Sequence, residues 1–300
     1  METQVAYVIE PKTQVMNHER DWTEVAKQLK YEVKNYQALT KMIVQIMNRS
    51  HAYDIPPETS FLLHGEKDKT GKLKIQGLEQ LKSKQARAME KLIESFPIWT
   101  DWLTKIPGIG PAIGSQLICL YYFKFVPVCA KCGADISTDA EDEDGKWACP
   151  SCGSKAKGEG ILKHRVELRD FPHISSWWHF LGRHNDPVTG KMPKRKAGVQ
   201  GDWSNLGRKL GYDVKESFNK QPSSHLYKAY AEKRKRYRLN THPDATPGYR
   251  HNMAWNETVK LFLSHFWQVS HTLNGEEMTQ PWSVTHGGHD ERSIIAPYYF

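Results

Sequence analysis

Ile106-Pro107-Gly108-Ile109-Gly110, with Pro111 directly after it, joins two apolar segments through a turn rich in glycine. Proline at a first helical position and glycines just before it predict a helix start, so a helix is expected from Pro111 to about Phe123. A short helix over Trp99 to Lys105 should lead in, and the small residues Ala112, Gly114 and Ser115 follow the turn. Together these read as a helix-hairpin-helix. Its backbone N–H groups, on Gly108, Ile109 and Gly110, would lie at a helix N-terminus, where the dipole favours a phosphate. Such contacts position a duplex without reading its sequence. The competing reading is a purely structural Pro-Gly turn between helices.

On the N-terminal side, Pro97 ends a helix expected from about Gln76 to Phe96, carrying Leu78, Leu81, Ala88, Leu92 and Phe96. Before it, Trp22, Leu29, Tyr36 and Ile43 recur every seven residues, with Val25, Leu39 and Ile46 at a second seam and Glu32 the one polar interruption. Heptad spacing keeps one apolar stripe on one side of a helix and calls for a partner helix. The partner is either the Gln76 to Phe96 helix, giving a hairpin, or a second copy, giving a homodimer through the N-terminal helices. Asn48 to Lys74, with Pro56-Pro57, Gly65 and Gly71, breaks the pattern, and Val5, Tyr7 and Ile9 alternate as one edge strand would.

Cys129-x-x-Cys132, sixteen residues, then Cys149-x-x-Cys152 is metal-ligand spacing. Each pair can offer two thiolates from one tight turn, and Gly133 and Gly153 directly after the pairs permit that turn. Four sulfurs close a tetrahedral shell, the preferred arrangement for structural Zn²⁺; an iron–sulfur centre and paired disulfides are the alternatives. A closed shell serves stability and not chemistry. The acidic loop Asp139 to Asp144 suits the tip of a small β ribbon, and Cys119, within an apolar helix, reads as a buried small side chain.

Beyond the cysteines the pattern is irregular through Lys220. Two helices then close the globular part. Ser223 to Leu239 places Leu226 and Tyr230 on one side, and Tyr249 to Leu273 sets Trp255, Val259, Phe262, Phe266, Val269 and Leu273 on one face before Asn274 and Gly275 end it. The last 25 residues read as a tail.

The 300 residues carry a formal net charge of +8, and the excess is local: Gly190 to Asn240 holds fourteen Lys/Arg against four acids. Such a concentration points to a polyanion partner, with Lys194, Arg195, Lys196, Arg208, Lys233, Arg234, Lys235 and Arg236 supplying the attraction. The longest apolar run, Leu117 to Phe123, is far below the ~18 residues of a membrane span. Glu2, Glu10 and Lys12 interrupt any signal sequence. Five cysteines in a chain this long do not suggest a disulfide framework. The expected setting is a cytoplasmic, reducing one, nucleoid-associated in a prokaryote.

The order of these motifs resembles the C-terminal helix-hairpin-helix transposase domain of the bridge-RNA-guided insertion-sequence recombinases. After the hairpin, Phe171-Pro172-His173-Ile174-Ser175-Ser176-Trp177-Trp178-His179-Phe180-Leu181-Gly182 looks like that family's Phe/Ser stretch and next helix. Thr189-Gly190-Lys191 falls at its Ser-Gly loop, Gly198 to Arg208 resembles its Gly/Arg run, and Val259-Lys260-Leu261-Phe262-Leu263 its last helix. The similarity spans roughly Trp99 to Leu273, with the cysteine ribbon as an insertion. It implies a DNA-binding protein of transposition or recombination, with structured RNA a further partner. Thr189 stands where the family has its nucleophilic serine, with Ser175, Ser176 and Ser204 as fallback hydroxyls and Arg183, Lys191, Lys194 and Arg195 as clamp cations. The family's RNase-H-like domain with its four Mg²⁺-binding acids has no counterpart in about a hundred mostly helical residues before the hairpin, so Mg²⁺ is not supported. The alternatives are an active recombinase needing a separate nuclease subunit, a zinc-containing scaffold, and a glycosylase, whose catalytic aspartate would fall at Asp135.

The expected fold is mainly α: an N-terminal helical region over 1–97, the helix-hairpin-helix over 98–126, a zinc ribbon insertion over 127–158, a basic transposase-like segment over 159–222, a C-terminal helical unit over 223–275 and a tail over 276–300.

Overall fold

The structure is a computed structural model describing residues 21–136, 146–157, 162–186, 189–194, 198–199, 201–280, 282–288, 290 and 293–300. It is mainly helical. Helices α1 (Thr23–Ala52), α2 (Phe61–His64) and α3 (Leu78–Ile93) come first, with a small antiparallel pair, β1 (Glu66–Lys67) and β2 (Leu73–Ile75), between the last two. Helix α4 (Pro111–Tyr122) runs directly into β3 (Phe123–Cys129). Strands β4 (Lys146–Ala148), β5 (Lys155–Lys157) and β6 (Leu162–Leu168) follow, then α5 (Ile174–Phe180), α6 (Asn205–Asn219), α7 (Leu226–Thr241), α8 (Pro247–Asn274) and α9 (Trp282–Thr285). Among the described residues no helix is long and apolar enough to cross a membrane.

Helices α1 and α3 pack on each other as an intramolecular hairpin, and both also pack on α4. That third neighbour shifts the seam. Trp22, Leu29 and Ile43 are buried as the heptad predicts, but the second buried position is Ala26 and Val33, while Val25, Leu39 and Ile46 are only half-buried. Gln37 bonds Gln116 of α4 at 3.1 Å, holding α1 against the central helix.

The lead-in to the hairpin is tighter and less regular than an α-helix: a single π-helical turn over Ile98–Trp102 and a 3₁₀ turn over Leu103–Lys105. Gly108 takes φ +91°, a region that suits glycine, and a Cβ there would lie 2.8 Å from Ser217 Oγ. In α4, a Cβ on Gly114 would lie 2.5 Å from the Trp99 ring, so the helix and the buried indole approach as only glycine allows.

The core lies between α4, α6, α7 and α8 and is strongly aromatic. Trp102 stacks on Phe262, Phe218 on Tyr227, and Tyr121 meets Phe171, Trp177 and Phe266. Helix α8 buries the predicted Trp255, Val259, Phe262, Phe266 and Val269; Thr246 accepts the Tyr249 N–H at its start, and Gly275 in the left-handed region ends it. The α7 face turned to the core is Tyr227 and Ala231 instead of Leu226 and Tyr230; Leu226 is exposed.

Two expectations are corrected here. The stretch from 159 to 222 is not irregular: it supplies β6, α5 and the amphipathic α6, whose Leu210, Val214 and Phe218 are buried. The final residues are not a loose tail either. Trp102 Nε1 donates to Tyr298 O at 2.7 Å, His265 Nε2 meets Ile295 O at 2.9 Å, and the Tyr298 ring packs on Tyr227. Short polar spacing hid this, because the segment docks through backbone carbonyls and two tyrosines and not through an apolar stripe.

Candidate functional site

Strands β3 and β6 pair antiparallel over their whole length, Phe123 opposite Leu168 at the base and Cys129 opposite Leu162 at the far end. Lys124 and Glu167, directly opposed, bridge at 3.0 Å. This two-stranded stem carries the cysteine pairs away from the helices.

At its end the two Cys-x-x-Cys turns share one hydrogen-bond pattern. The Gly133 N–H donates to Cys129 O and the Cys129 N–H to Ala134 O; in the second turn the Gly153 N–H donates to Cys149 O and the Cys149 N–H to Ser154 O. Gly133 and Gly153 have φ of +76° and +68°, the left-handed conformation that closes each knuckle. The knuckles face each other with Cys129 Sγ 3.8 Å from Cys152 Sγ and Cys132 Sγ 3.6 Å from Cys149 Sγ. All four sulfurs lie within 4.8 Å of one another, a group able to hold a metal ion. Ser154, through its side chain and its backbone N–H, holds the Cys152 thiol down to about 6, and the Lys131 N–H lies 3.4 Å from Cys129 Sγ. Donors aimed at Cys152 and Cys129 favour their thiolates, the form that binds metals, whereas Cys132, despite the Ala134 N–H, is pushed up to about 12 by the sulfurs beside it. Cys119, by contrast, is buried, and desolvation pushes its thiol up to about 11. The carboxylate of Asp135 accepts from Arg165 at 2.7 Å, and Arg165 also reaches Glu167 at 3.0 Å, so Asp135 braces the stem.

Sequence reasoning missed a second feature. A cleft of about 510 Å³ opens between α1 and the stem, lined by Lys27, Lys30, Lys34, Lys163, Tyr31, Phe125 and His164. Lys30 Nζ lies 5.0 Å from the Phe125 ring centre, and Phe125 and His164 make an edge-on ring contact. Tyr31 is 62% exposed. Part of the signal was present in the sequence: Lys27, Lys30, Tyr31 and Lys34 lie on one helical stripe. Lys163 and Phe125 join it only through the fold.

The hairpin turn is seated against the α6–α7 junction. Ser217 Oγ donates to Gly108 O at 2.5 Å, and His225 Nε2 lies 3.0 Å from Pro107 O. The Ile109 N–H donates to Ile106 O, which removes it from the expected phosphate contacts. Gly108 is half-buried and Gly110 exposed.

Of the expected cations, Arg234 and Arg238 both pair with Glu257 of α8, and Lys235 pairs with Glu232 at 2.6 Å, so Arg234 and Lys235 bind the protein itself. Lys233 and Arg236 are exposed. Arg208 donates to Pro193 O at 2.5 Å and lies over the Trp203 ring, propping the loop before α6. Lys194 is exposed, whereas Arg195 and Lys196 lie outside the described residues.

Thr189 closes a tight turn: its hydroxyl donates to Asp186 Oδ1 at 3.0 Å and its N–H to the same oxygen at 2.7 Å. Ser204 caps α6, its hydroxyl accepting the Gly207 N–H at 3.0 Å. Arg183 is buried, donating to Arg208 O at 3.0 Å, and does not reach solvent as a clamp would.

Comparison of the chain with protein-family models, curated proteins and solved structures found no match.

Proposed function

We propose that this chain is a nucleic-acid-binding protein that grips its polyanion in the cleft between α1 and the β3–β6 stem. The observation that carries this reading is the cleft itself: four lysines, of which Lys27 pairs with Glu24 at 3.0 Å, and three aromatic rings on one concave surface. Cations attract the backbone, and aromatic faces stack on bases without sequence preference. Lys233, Arg236 and Lys194 are further exposed cations.

The four-cysteine group is a structural zinc site that fixes one wall of the cleft. Zn–S bonds of about 2.3 Å in a tetrahedron separate the sulfurs by about 3.8 Å, and the closest sulfurs here are 3.6 and 3.8 Å apart. Four thiolates leave no open position, so Cys129, Cys132, Cys149 and Cys152 hold the ribbon together and do no chemistry.

A role in DNA transposition or recombination rests on the order of the family-like motifs. A covalent protein–DNA adduct lost in Thr189→Ala would support it. The hydroxyl's engagement with Asp186 accounts for the residue as a turn former.

The test of binding is fluorescence anisotropy of zinc-loaded protein on linear duplex, four-way junction and RNA hairpin across a salt series. Expected is affinity falling steeply with salt, by about 0.9 in log–log slope per duplex phosphate neutralised. Lys30→Glu/Lys34→Glu/Lys163→Glu should lower that slope by about 3 and weaken binding at least tenfold. Tyr31→Ala should weaken binding of the RNA hairpin, whose loop offers unpaired bases, by about 1–3 kcal/mol. Binding to none of the three at low salt would overturn the proposal, as would equal binding by the triple variant.

A further inference from the structure

We propose that His179, His184 and Asp202 form a second metal centre, distinct from the four cysteines, that takes a divalent transition-metal ion and leaves coordination positions open toward a cleft. It does not depend on the nucleic-acid reading.

The local fold builds the site from two short segments. Helix α5 ends at Phe180, and Gly182, at φ +63°, turns the chain back. The turn stacks His184 on His179, with ring centres 4.1 Å apart and planes within 22° of parallel; imidazole lone pairs lie in the ring plane, so one ring must turn about its χ2 for both to take the same ion. The third residue comes from the segment that enters α6. Trp203 packs where a Cβ on Gly182 would lie, 2.6 Å from it, and the Ser204 N–H donates to Phe180 O at 2.7 Å. Those two contacts hold Asp202 so that its Oδ2 lies 3.1 Å from His179 Nε2. One ligand atom from each of the three residues lies within 4.8 Å of the other two.

Two imidazoles and one carboxylate make a donor set for zinc and neighbouring first-row ions, harder than a set of thiolates. His184 Nδ1 is buried and has no hydrogen-bond partner among the described residues. A buried nitrogen in that state is costly, and the cost falls if that nitrogen, Nδ1, is the one that takes the ion. Three protein ligands leave at least one position for water or an anionic oxygen, the arrangement of reactive and not structural zinc. That position opens on a cleft of about 860 Å³ whose walls include Ser175, Ser176, Asn185 and Asp186. Room for chemistry exists here and not at the closed cysteine shell.

The experiment counts metal on the full chain. Protein stripped of metal is dialysed against Zn²⁺, and bound zinc is measured by mass spectrometry for wild type, His179→Ala/Asp202→Asn and Cys132→Ser/Cys149→Ser. His179 and Asp202 side chains are 46% and 65% exposed, so the first pair leaves the core intact, which a thermal melt checks. His184→Ala is the second variant for the same site. Expected are two zinc ions per wild-type chain and one in each histidine-site variant. Reloading with Co²⁺ separates the two centres, because only the cysteine centre gives sulfur-to-cobalt charge-transfer absorption. That band should persist in His179→Ala/Asp202→Asn and vanish in Cys132→Ser/Cys149→Ser. One ion in wild type, lost on His179→Ala/Asp202→Asn with no thiolate band, would sink the cysteine site and keep this one. Equal zinc in wild type and both histidine-site variants would overturn the proposal.

Discussion

Ser204 and Thr189 carry hydroxyls of the type strand cleavage needs, and each is held by a residue three positions away, Ser204 by the Gly207 N–H and Thr189 by the Asp186 carboxylate. Ser204 satisfies an otherwise orphaned N–H at the start of α6, so Ser204→Ala should lower stability by about 1 kcal/mol, read as a shift in a urea unfolding curve with unchanged slope. Gly114 presents a case where two effects compete. Gly→Ala inside a helix gains about 1 kcal/mol from backbone entropy. Here the added methyl would fall 2.5 Å from the ring of Trp99, itself buried and unable to yield, and overpacking costs about 1–3 kcal/mol. Gly114→Ala is therefore expected to be destabilising, and a melting temperature at or above wild type would show that the indole can move. Paired charge follows the same logic of neighbours. Glu257 engages both Arg234 and Arg238 across the α7–α8 interface, turning an apparent binding cluster into a helix clasp.

At the scale of elements, the knuckles depend on four sulfurs and a few backbone bonds, and among the described residues the only buried apolar side chain clustered with their cysteines is Ile136. Cys132→Ser should therefore release metal and unfold the end of the stem while most helical circular dichroism remains. Loss of most helical signal on chelation would show that the ribbon and the body fold as one. What the sequence made legible follows from how many neighbours each element has. Helix α8 was readable because one apolar face meets one core and both ends carry their own caps. In α1 the first seam was readable, but packing on both α3 and α4 moved the second from Val25 and Leu39 to Ala26 and Val33. The cysteine spacing was fully legible, since its geometry is local. The basic cleft was not: Lys30 and Lys163 are far apart in the chain and meet only because α4 feeds β3 without a linker. Nor could composition along Gly190 to Asn240 reveal which cations find acids on other helices.

Across the whole molecule, buried histidines tie stability to pH. His265 is buried between Tyr227, Ile295 and Tyr298, and burial holds its pKa down to about 4. Burial also lowers His225, His251 and His271. The folded state then resists a proton that the unfolded chain, with an ordinary imidazole near 6.5, accepts. Stability present above that value is thus lost as pH falls from about 6.5 toward 4, by about 3 kcal/mol for His265 alone. Unfolding midpoints in denaturant between pH 7 and pH 4 measure it; a flat profile in wild type, or an unchanged slope in His265→Gln, would remove the assignment. The direct passage of α4 into β3 has a mechanical consequence. No residue separates Tyr122 from Phe123, so the glycine turn precedes and the sulfur knuckles follow one continuous helix–strand segment. Its contour is about 40 Å at ordinary helical and extended rises. A load applied at the knuckles meets the helical body first at the junction of α4 and β3, where Arg169 donates from its backbone N–H to Tyr122 O and from Nε to Phe123 O, both at 2.9 Å.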